Sequence, residues 1–87
     1  MTGIVLQIIL IQSDVTLKLV KNGRTLDLQS TKYYHDLSDM LITGLDKLLE
    51  RNKIDTSSLK SFKIKGNLGQ DSTSYKIASA FIAGLQT

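Results

Sequence analysis

The chain has 87 residues, enough for one domain but too few for two separate hydrophobic cores. It contains no cysteine and one histidine, which excludes disulfide bonds, thiolate metal sites and histidine-rich metal sites and fits a reducing cytoplasm. Eleven basic and eight acidic residues give a formal charge of +3, which permits contact with nucleic acid but indicates it only weakly.

The first predicted element is a strand over residues 4–11. This segment is rich in β-branched residues and almost continuously apolar, which is typical of a central strand buried on both faces. It is too short to span a bilayer, and it lacks the basic segment and cleavage site of a signal peptide. We therefore expect it in the middle of a sheet.

A hairpin is predicted next, since residues 15–20 alternate in polarity and are followed by Asn22 and Gly23. Asn-Gly tolerates the positive φ angles of a type I′ turn, whose twist matches that of the flanking strands. The third predicted strand covers residues 25–29, with Leu26 and Leu28 pointing inward.

The period then changes to that of a helix over residues 35–51, which Asp36 or Ser38 is placed to cap. Residues 61–65 alternate again as a fourth strand, and residues 72–85 form a second helix. A strand-helix-strand crossover is right-handed, so the fourth strand should lie parallel to the first. The expected fold class is α/β: a two-layer domain of order ββ-β-α-β-α, with a mixed sheet of order 3-2-1-4 and two helices on one face.

The other face of the sheet is expected to be open and largely polar. The polar residues assigned to it are Lys18, Thr25, Asp27, Lys63 and Lys65. The basic members Lys18, Lys63 and Lys65 are candidates for contact with nucleic acid, although basic sheet faces that bind RNA usually carry exposed aromatic residues as well.

Both helices carry more apolar surface than one sheet can cover. The apolar positions of the first helix fill about 200° of its circumference, whereas a stripe of a little over ~100° suffices for packing on a sheet. This favours a second chain as the remaining cover. The predicted partner interface comprises Leu37, Met40, Gly44, Ile77, Ala80 and Gly84. The alternative is that the small residues fit tight packing within the chain.

Three stretches resemble the N-terminal half of the bacterial TsaB (YeaZ) family. The hairpin segment 17–23 is similar to the family pattern V-A-L-x-x-x-G, and residues 38–49 are similar to its helix H-S-E-R-L-L-P-L-I-D-E-L-L. The family hallmark G-x-G-P-G-S-F-T-G-x-R-I-G falls on residues 66–78. Here Gly66, Thr73 and Ile77 are retained and Lys76 replaces the arginine, but the proline and the other glycines are lost.

The resemblance implies a single TsaB-like N-terminal subdomain over residues 1–87, a shortened member of the actin-like ATPase (RNase H-like) superfamily. It implies a non-catalytic assembly subunit that supports threonylcarbamoyladenosine modification of tRNA. Its helices would pair with those of a second copy or of a TsaD-like partner in a four-helix bundle. Two alternatives remain: a basic RNA-binding module, and a fragment of a longer TsaB-like protein.

No catalytic, cofactor or metal site is predicted. Residues 12–14 lack the glycine and neighbouring hydroxyls with which a backbone wraps phosphate. Gly66 and Gly69 precede a helix but lack the remainder of a P-loop or of a dinucleotide-binding turn, so a tight connection is the better interpretation. His35 has acidic neighbours but no evident nucleophile, and these neighbours suit helix capping.

Overall fold

The computed structural model describes residues 3–11, 14–32, 36–66 and 73–85. The elements in chain order are β1 (Ile4–Leu10), β2 (Asp14–Lys21), β3 (Arg24–Lys32), α1 (Leu37–Asn52), a 3-10 turn (Thr56–Ser58), β4 (Leu59–Gly66) and α2 (Thr73–Leu85). The sheet order is β3-β2-β1-β4, with β1 antiparallel to β2 and parallel to β4. This confirms the predicted topology.

Local chemistry explains where these elements begin and end. Asn22 and Gly23 have φ angles of 55° and 76°, so the β2–β3 turn has the left-handed backbone expected of Asn-Gly. At the start of α1, the carboxylate of Asp36 accepts a hydrogen bond of 2.8 Å from the backbone N–H of Ser38. Lys53 ends α1 in the left-handed conformation, at a φ angle of 55°.

The hydrophobic core lies between one face of the sheet and the two helices. Its buried residues are Ile4, Leu6, Ile8, Leu10, Val15, Leu17, Leu19, Leu37, Leu41, Leu45, Leu48, Leu59 and Ala78. The helices therefore share one face, as expected. β1 differs from the prediction, because only alternate residues are buried and Val5, Gln7 and Ile9 on its other face are half-buried.

The orientation of β3 is opposite to the prediction. Leu26 and Leu28 are 45% and 48% exposed, whereas Asp27 pairs in register with the buried Leu19 and faces the helices. The pairing shifts by one residue between Leu19 and Val20. Without that shift the two-residue turn would place Leu26 opposite Leu19, so the inserted residue exchanges the two faces of β3.

Gly66 ends β4 with a φ angle of 129°, a conformation that side chains rarely permit. A Cβ atom at this position would collide with the backbone carbonyl of Leu10 at the end of β1. Glycine is therefore required here by backbone contact between the two parallel strands, which is a structural reason for a glycine at the start of the 66–78 motif.

No helix in the described ranges has the length and apolarity needed to cross a membrane.

Candidate interaction surfaces

Leu37 and Gly44, two residues of the predicted partner interface, lie inside the domain. Leu37 is 6% exposed, and Gly44 is buried against the sheet. A Cβ atom on Gly44 would lie 2.8 Å from Cδ1 of Leu17. Gly44 is small because α1 approaches β2 closely, and both residues are buried within the domain.

The outer face of α2 contains the other small residues of the predicted interface. Thr73, Lys76, Ala80, Ala83 and Gly84 are exposed and fall on one side of the helix, opposite the buried Ala78. Lys76 is the one charged residue among them, and a Cβ atom added at Gly84 would have no atom within 4 Å. We call these five exposed residues the α2 outer face; Ile77, half-buried, lies at its edge.

Met40 lies in a different place, in a groove between α1 and β3. The groove holds about 240 Å³ and is lined by Gln29, Thr31, Asp39, Met40, Thr43, Gly44 and Lys47. Ile42 is 51% exposed and lies about 160° around α1 from Met40. The prediction omitted Ile42, because helical periodicity shows the width of an apolar arc but not which part of it the sheet covers.

Arg51 and Asp27 form a salt bridge that ties α1 to β3. Nε and Nη2 of Arg51 donate to the two carboxylate oxygens of Asp27 at 2.7 and 2.8 Å, and Asn52 Nδ2 donates to Asp27 at 2.9 Å. Arg51 also donates to the side chain of Gln29 and to the carbonyl of Leu28. The Arg51 and Asn52 hydrogen bonds lower the pKa of Asp27 from 3.8 to about 2, and Asp27 in turn raises the pKa of Arg51.

These contacts correct the assignment of Asp27 to the open face and give it a structural role. Its side chain lies between β3 and the C-terminal turn of α1, where Arg51 and Asn52 meet it from the helix side. A carboxylate held by an arginine on both oxygens is ionised and has its acceptor sites occupied. The arrangement fixes the edge strand to the helix layer.

The three lysines predicted to contact nucleic acid do share the open face of the sheet. Gln7 pairs with Lys18 on one side and Lys63 on the other, so these residues form one row across β2, β1 and β4. Lys65 belongs to the next row, beside Ile9. Lys63 and Lys65 are exposed and Lys18 is half-buried.

The described part of the open face is largely polar, as expected, but it also carries apolar side chains. Val5, Ile9 and Val20 lie on it half-buried, and Leu28 lies on it exposed, opposite Lys18. The one-residue shift in β3 accounts for Leu28, and the nearly continuous apolarity of β1 accounts for Val5 and Ile9.

Several predicted features lie outside the described residues: the segment 12–13, His35, and residues 67–72 of the turn before α2. Within the described ranges, no three residues among His, Cys, Asp and Glu are close enough to hold a metal ion.

A mixed four-stranded sheet of order 3-2-1-4 with two helices on one face defines the class of the chain: a two-layer α/β domain with a crossover helix between β1 and β4. Among solved structures, this fold matches YeaZ from Pseudomonas aeruginosa with a TM-score of 0.77 and 18% sequence identity. A crystal structure of an uncharacterized protein described as similar to the peptidase YeaZ from Pseudomonas aeruginosa matches with a TM-score of 0.74 and 17% identity.

Both matches cover 95% of this chain and 38% of the matched chain. The fold is therefore that of part of YeaZ, and the resemblance suggested by the sequence motifs extends to the three-dimensional structure. No family model matches the sequence, and no curated protein matches it.

Proposed function

We propose that this chain is a non-catalytic assembly subunit that pairs through the α2 outer face with a second copy of itself or with a TsaD-like actin-like ATPase. In this role it supports the threonylcarbamoyladenosine modification of tRNA as a scaffold, and its partner supplies the chemistry. The observation that carries the proposal is the composition of the α2 outer face, where small residues and one lysine stand in place of the usual charged surface.

A helix whose outer side faces water permanently is normally polar on that side. Ala80, Ala83 and Gly84 offer neither charge nor hydrogen-bonding side chains to water, and they leave the helix backbone accessible. The distance between packed helices falls with the size of the side chains at the contact, so this surface suits a closely packed partner helix. The fold match to part of YeaZ also supports the proposal, because the resemblance to the TsaB family implies pairing of this kind.

The decisive experiment is purification of the tagged chain from its native host, followed by identification of the bound proteins and light scattering of the complex. We expect either an actin-like ATPase or a homodimer. Ala80→Arg should abolish the association, because Ala80 is exposed and a long charged side chain would hold a partner helix away.

Thr25→Arg is the matched control, since Thr25 is also exposed but lies on β3, away from the helices. It should leave the association intact. A chain recovered as a monomer without an actin-like partner, or an association that Ala80→Arg leaves unchanged, would contradict the proposal.

A further inference from the structure

β3 is an edge strand whose outer side offers backbone hydrogen-bonding groups. Along an antiparallel strand, residues that exchange hydrogen bonds with the neighbouring strand alternate with residues whose N–H and C=O groups point away from it. Leu28 points away, because its N–H donates to the Asp27 carboxylate at 2.8 Å and its C=O accepts from Arg51 at 3.1 Å. Ser30 and Lys32 share this orientation, and no residue in the described ranges pairs with them on the outer edge.

The groove between α1 and β3 runs beside this edge. Its α1 wall consists of residues 39, 40, 43, 44 and 47, which fall on one side of the helix over two turns. Its β3 wall consists of Gln29 and Thr31, which pair in register with buried residues of β2 and face the helices. Because α1 contacts β2 and β3 whereas α2 contacts β1 and β4, the groove lies on the side of the domain away from α2.

The two ends of the groove carry opposite charges. Asp39 and Lys47 are exposed, and neither forms a salt bridge with another described residue. They are eight residues apart in α1, which separates them by about 12 Å along the helix axis. Arg51, one turn beyond Lys47, donates to Gln29, so the Lys47 end of the groove lies toward Gln29 and the Asp39 end toward Thr31.

We propose that an extended segment of another protein adds to the outer edge of β3, antiparallel to it, and places a basic, an aliphatic and an acidic side chain in the groove. Antiparallel pairing is the more stable arrangement per residue. Alternate residues of a strand share one face, and residues four apart are separated by about 13 Å, close to the spacing of the groove charges. The basic side chain then meets Asp39, the acidic one meets Lys47, and the aliphatic one between them packs beside the half-buried Met40.

The edge of β3 and its groove are separate from the α2 outer face, so this proposal stands independently of the assembly role. Backbone hydrogen bonds to the edge would supply affinity, and the side chains in the groove would supply specificity.

A second copy of β3 fits this edge less well. Two β3 edges paired about a two-fold axis at Ser30 would bring Leu28 of each copy opposite Lys32 of the other. The backbone groups of Leu28 are already hydrogen-bonded within the chain, so both ends of this pairing would be incomplete. The side chains that such a pair brings to the groove, Gln29 and Thr31, are uncharged and leave the charges of the groove unpaired.

The test uses two short peptides of identical composition, T-K-T-L-T-E-T and T-E-T-L-T-K-T, each amidated and labelled with fluorescein through an N-terminal linker. Binding to the chain is measured by fluorescence anisotropy at about 0.1 M salt, where adjacent exposed charges still attract. The first peptide should bind about fivefold more tightly, because only its order of charges matches the groove in antiparallel pairing.

Methylation of single peptide nitrogens tests the backbone pairing. The threonine between leucine and glutamate lies opposite Ser30 in the proposed complex, so its N–H faces β3, whereas the N–H of the leucine points away. N-methylation of that threonine should weaken binding about tenfold through the lost hydrogen bond and the added bulk. N-methylation of the leucine is the matched control and should leave the affinity nearly unchanged.

Variants of the chain locate the binding. Asp39→Lys combined with Lys47→Asp should reverse the preference between the two peptides. Asp55→Lys combined with Lys76→Asp exchanges the same charges at exposed positions that do not line the groove, and should leave the preference unchanged. Ser30→Pro removes the outward N–H from an edge strand, where proline is tolerated, and should weaken the first peptide about tenfold. Circular dichroism verifies that each variant is folded.

Equal affinity for the two peptides, tighter binding of the second, no binding of either, or an equal effect of the two N-methyl groups would overturn the proposal. Light scattering of the chain without peptide tests the other occupant of the edge. A dimer that Ser30→Pro dissociates would assign the edge to a second copy instead.

Discussion

The carboxylate of Asp27 is ionised in the folded chain over almost the whole pH range, because Arg51 and Asn52 hydrogen-bond to it. Its pKa is about 2 in the folded state and 3.8 as the unperturbed value, so the unfolded chain takes up the proton first as the pH falls. The contribution of the ionised Asp27 carboxylate to the free energy of unfolding is therefore complete above about pH 4. It is lost as the pH falls from about 4 to about 2.

We predict that the part of the stability that Asp27 loses between about pH 4 and pH 2 does not change with pH in Asp27→Asn, because an asparagine side chain does not titrate. The measurement is the midpoint of urea unfolding at a series of pH values. Asp46→Asn, an exposed substitution on α1, is the matched control and should retain the wild-type change below pH 4. Identical pH profiles for wild type and Asp27→Asn would show that the salt bridge contributes nothing in solution.

Gly44 and Gly84 are both helical glycines, yet alanine should have opposite effects at the two positions. Alanine in a helix is favoured over glycine by about 0.5–1 kcal/mol. At Gly84 its Cβ would meet no atom within 4 Å, so we expect stabilisation of about 0.5 kcal/mol near the helix end.

At Gly44 the new methyl would lie 2.8 Å from Leu17 Cδ1, and Leu17 is almost completely buried. Overpacking of this kind costs about 1–3 kcal/mol, so we expect a net loss of about 1 kcal/mol. Urea unfolding of the two variants at low protein concentration measures the difference. Equal stabilisation by both substitutions would mean that α1 is not closely packed on β2.

The sheet order was predictable from the sequence because three features determine it. Asn22 and Gly23 specify the hairpin, the β-branched segment of β1 requires a central position, and crossover handedness places β4 beside it. The faces of β3 were not predictable from alternation, because T-L-D-L-Q alternates equally well in either orientation. One inserted residue determines which side of β3 faces the core. A hydrophobicity pattern also does not predict that Asp27 on the inward side forms a salt bridge with Arg51.

Only part of the predicted partner interface could be identified from the sequence. Periodicity identified α2 as apolar on most sides, and its exposed face does carry Ala80 and Gly84. The same reasoning included Gly44, whose small size serves contact with Leu17. A small residue permits close approach on any side of a helix, so composition alone does not tell a sheet contact from a partner contact.

The two helices differ in how firmly this chain holds them. α1 buries Leu37, Leu41, Gly44, Leu45 and Leu48, whereas Ala78 is the buried residue of α2. Local opening requires less free energy where less apolar surface is buried. We predict that the amides of α2 exchange with solvent about 10- to 100-fold faster than those of β1 in the dilute chain.

Hydrogen exchange followed by mass spectrometry measures this difference, and α1 provides the internal reference. Binding of a partner to the α2 outer face should slow exchange selectively in α2. Equal protection of α2 and β1 in the dilute chain would show that α2 is already held in place without a partner.

The part of the domain that the structure describes exposes the α2 outer face on one side and the open sheet face on the other. If the chain pairs with itself through α2, folding and association are linked, and the unfolding temperature must depend on protein concentration. For a chain of this size, raising the concentration about 100-fold above the dissociation constant should raise the midpoint by roughly 5–10 °C.

Two variants determine which surface is responsible. Ala80→Arg should remove the concentration dependence, while Leu28→Ser on the open sheet face should leave it unchanged, because the lysines of that face oppose self-association. Loss of the dependence in Leu28→Ser with retention in Ala80→Arg would place the self-contact on the sheet. A midpoint independent of concentration in the wild type would leave a heterologous partner as the only occupant of α2 compatible with the proposed assembly role.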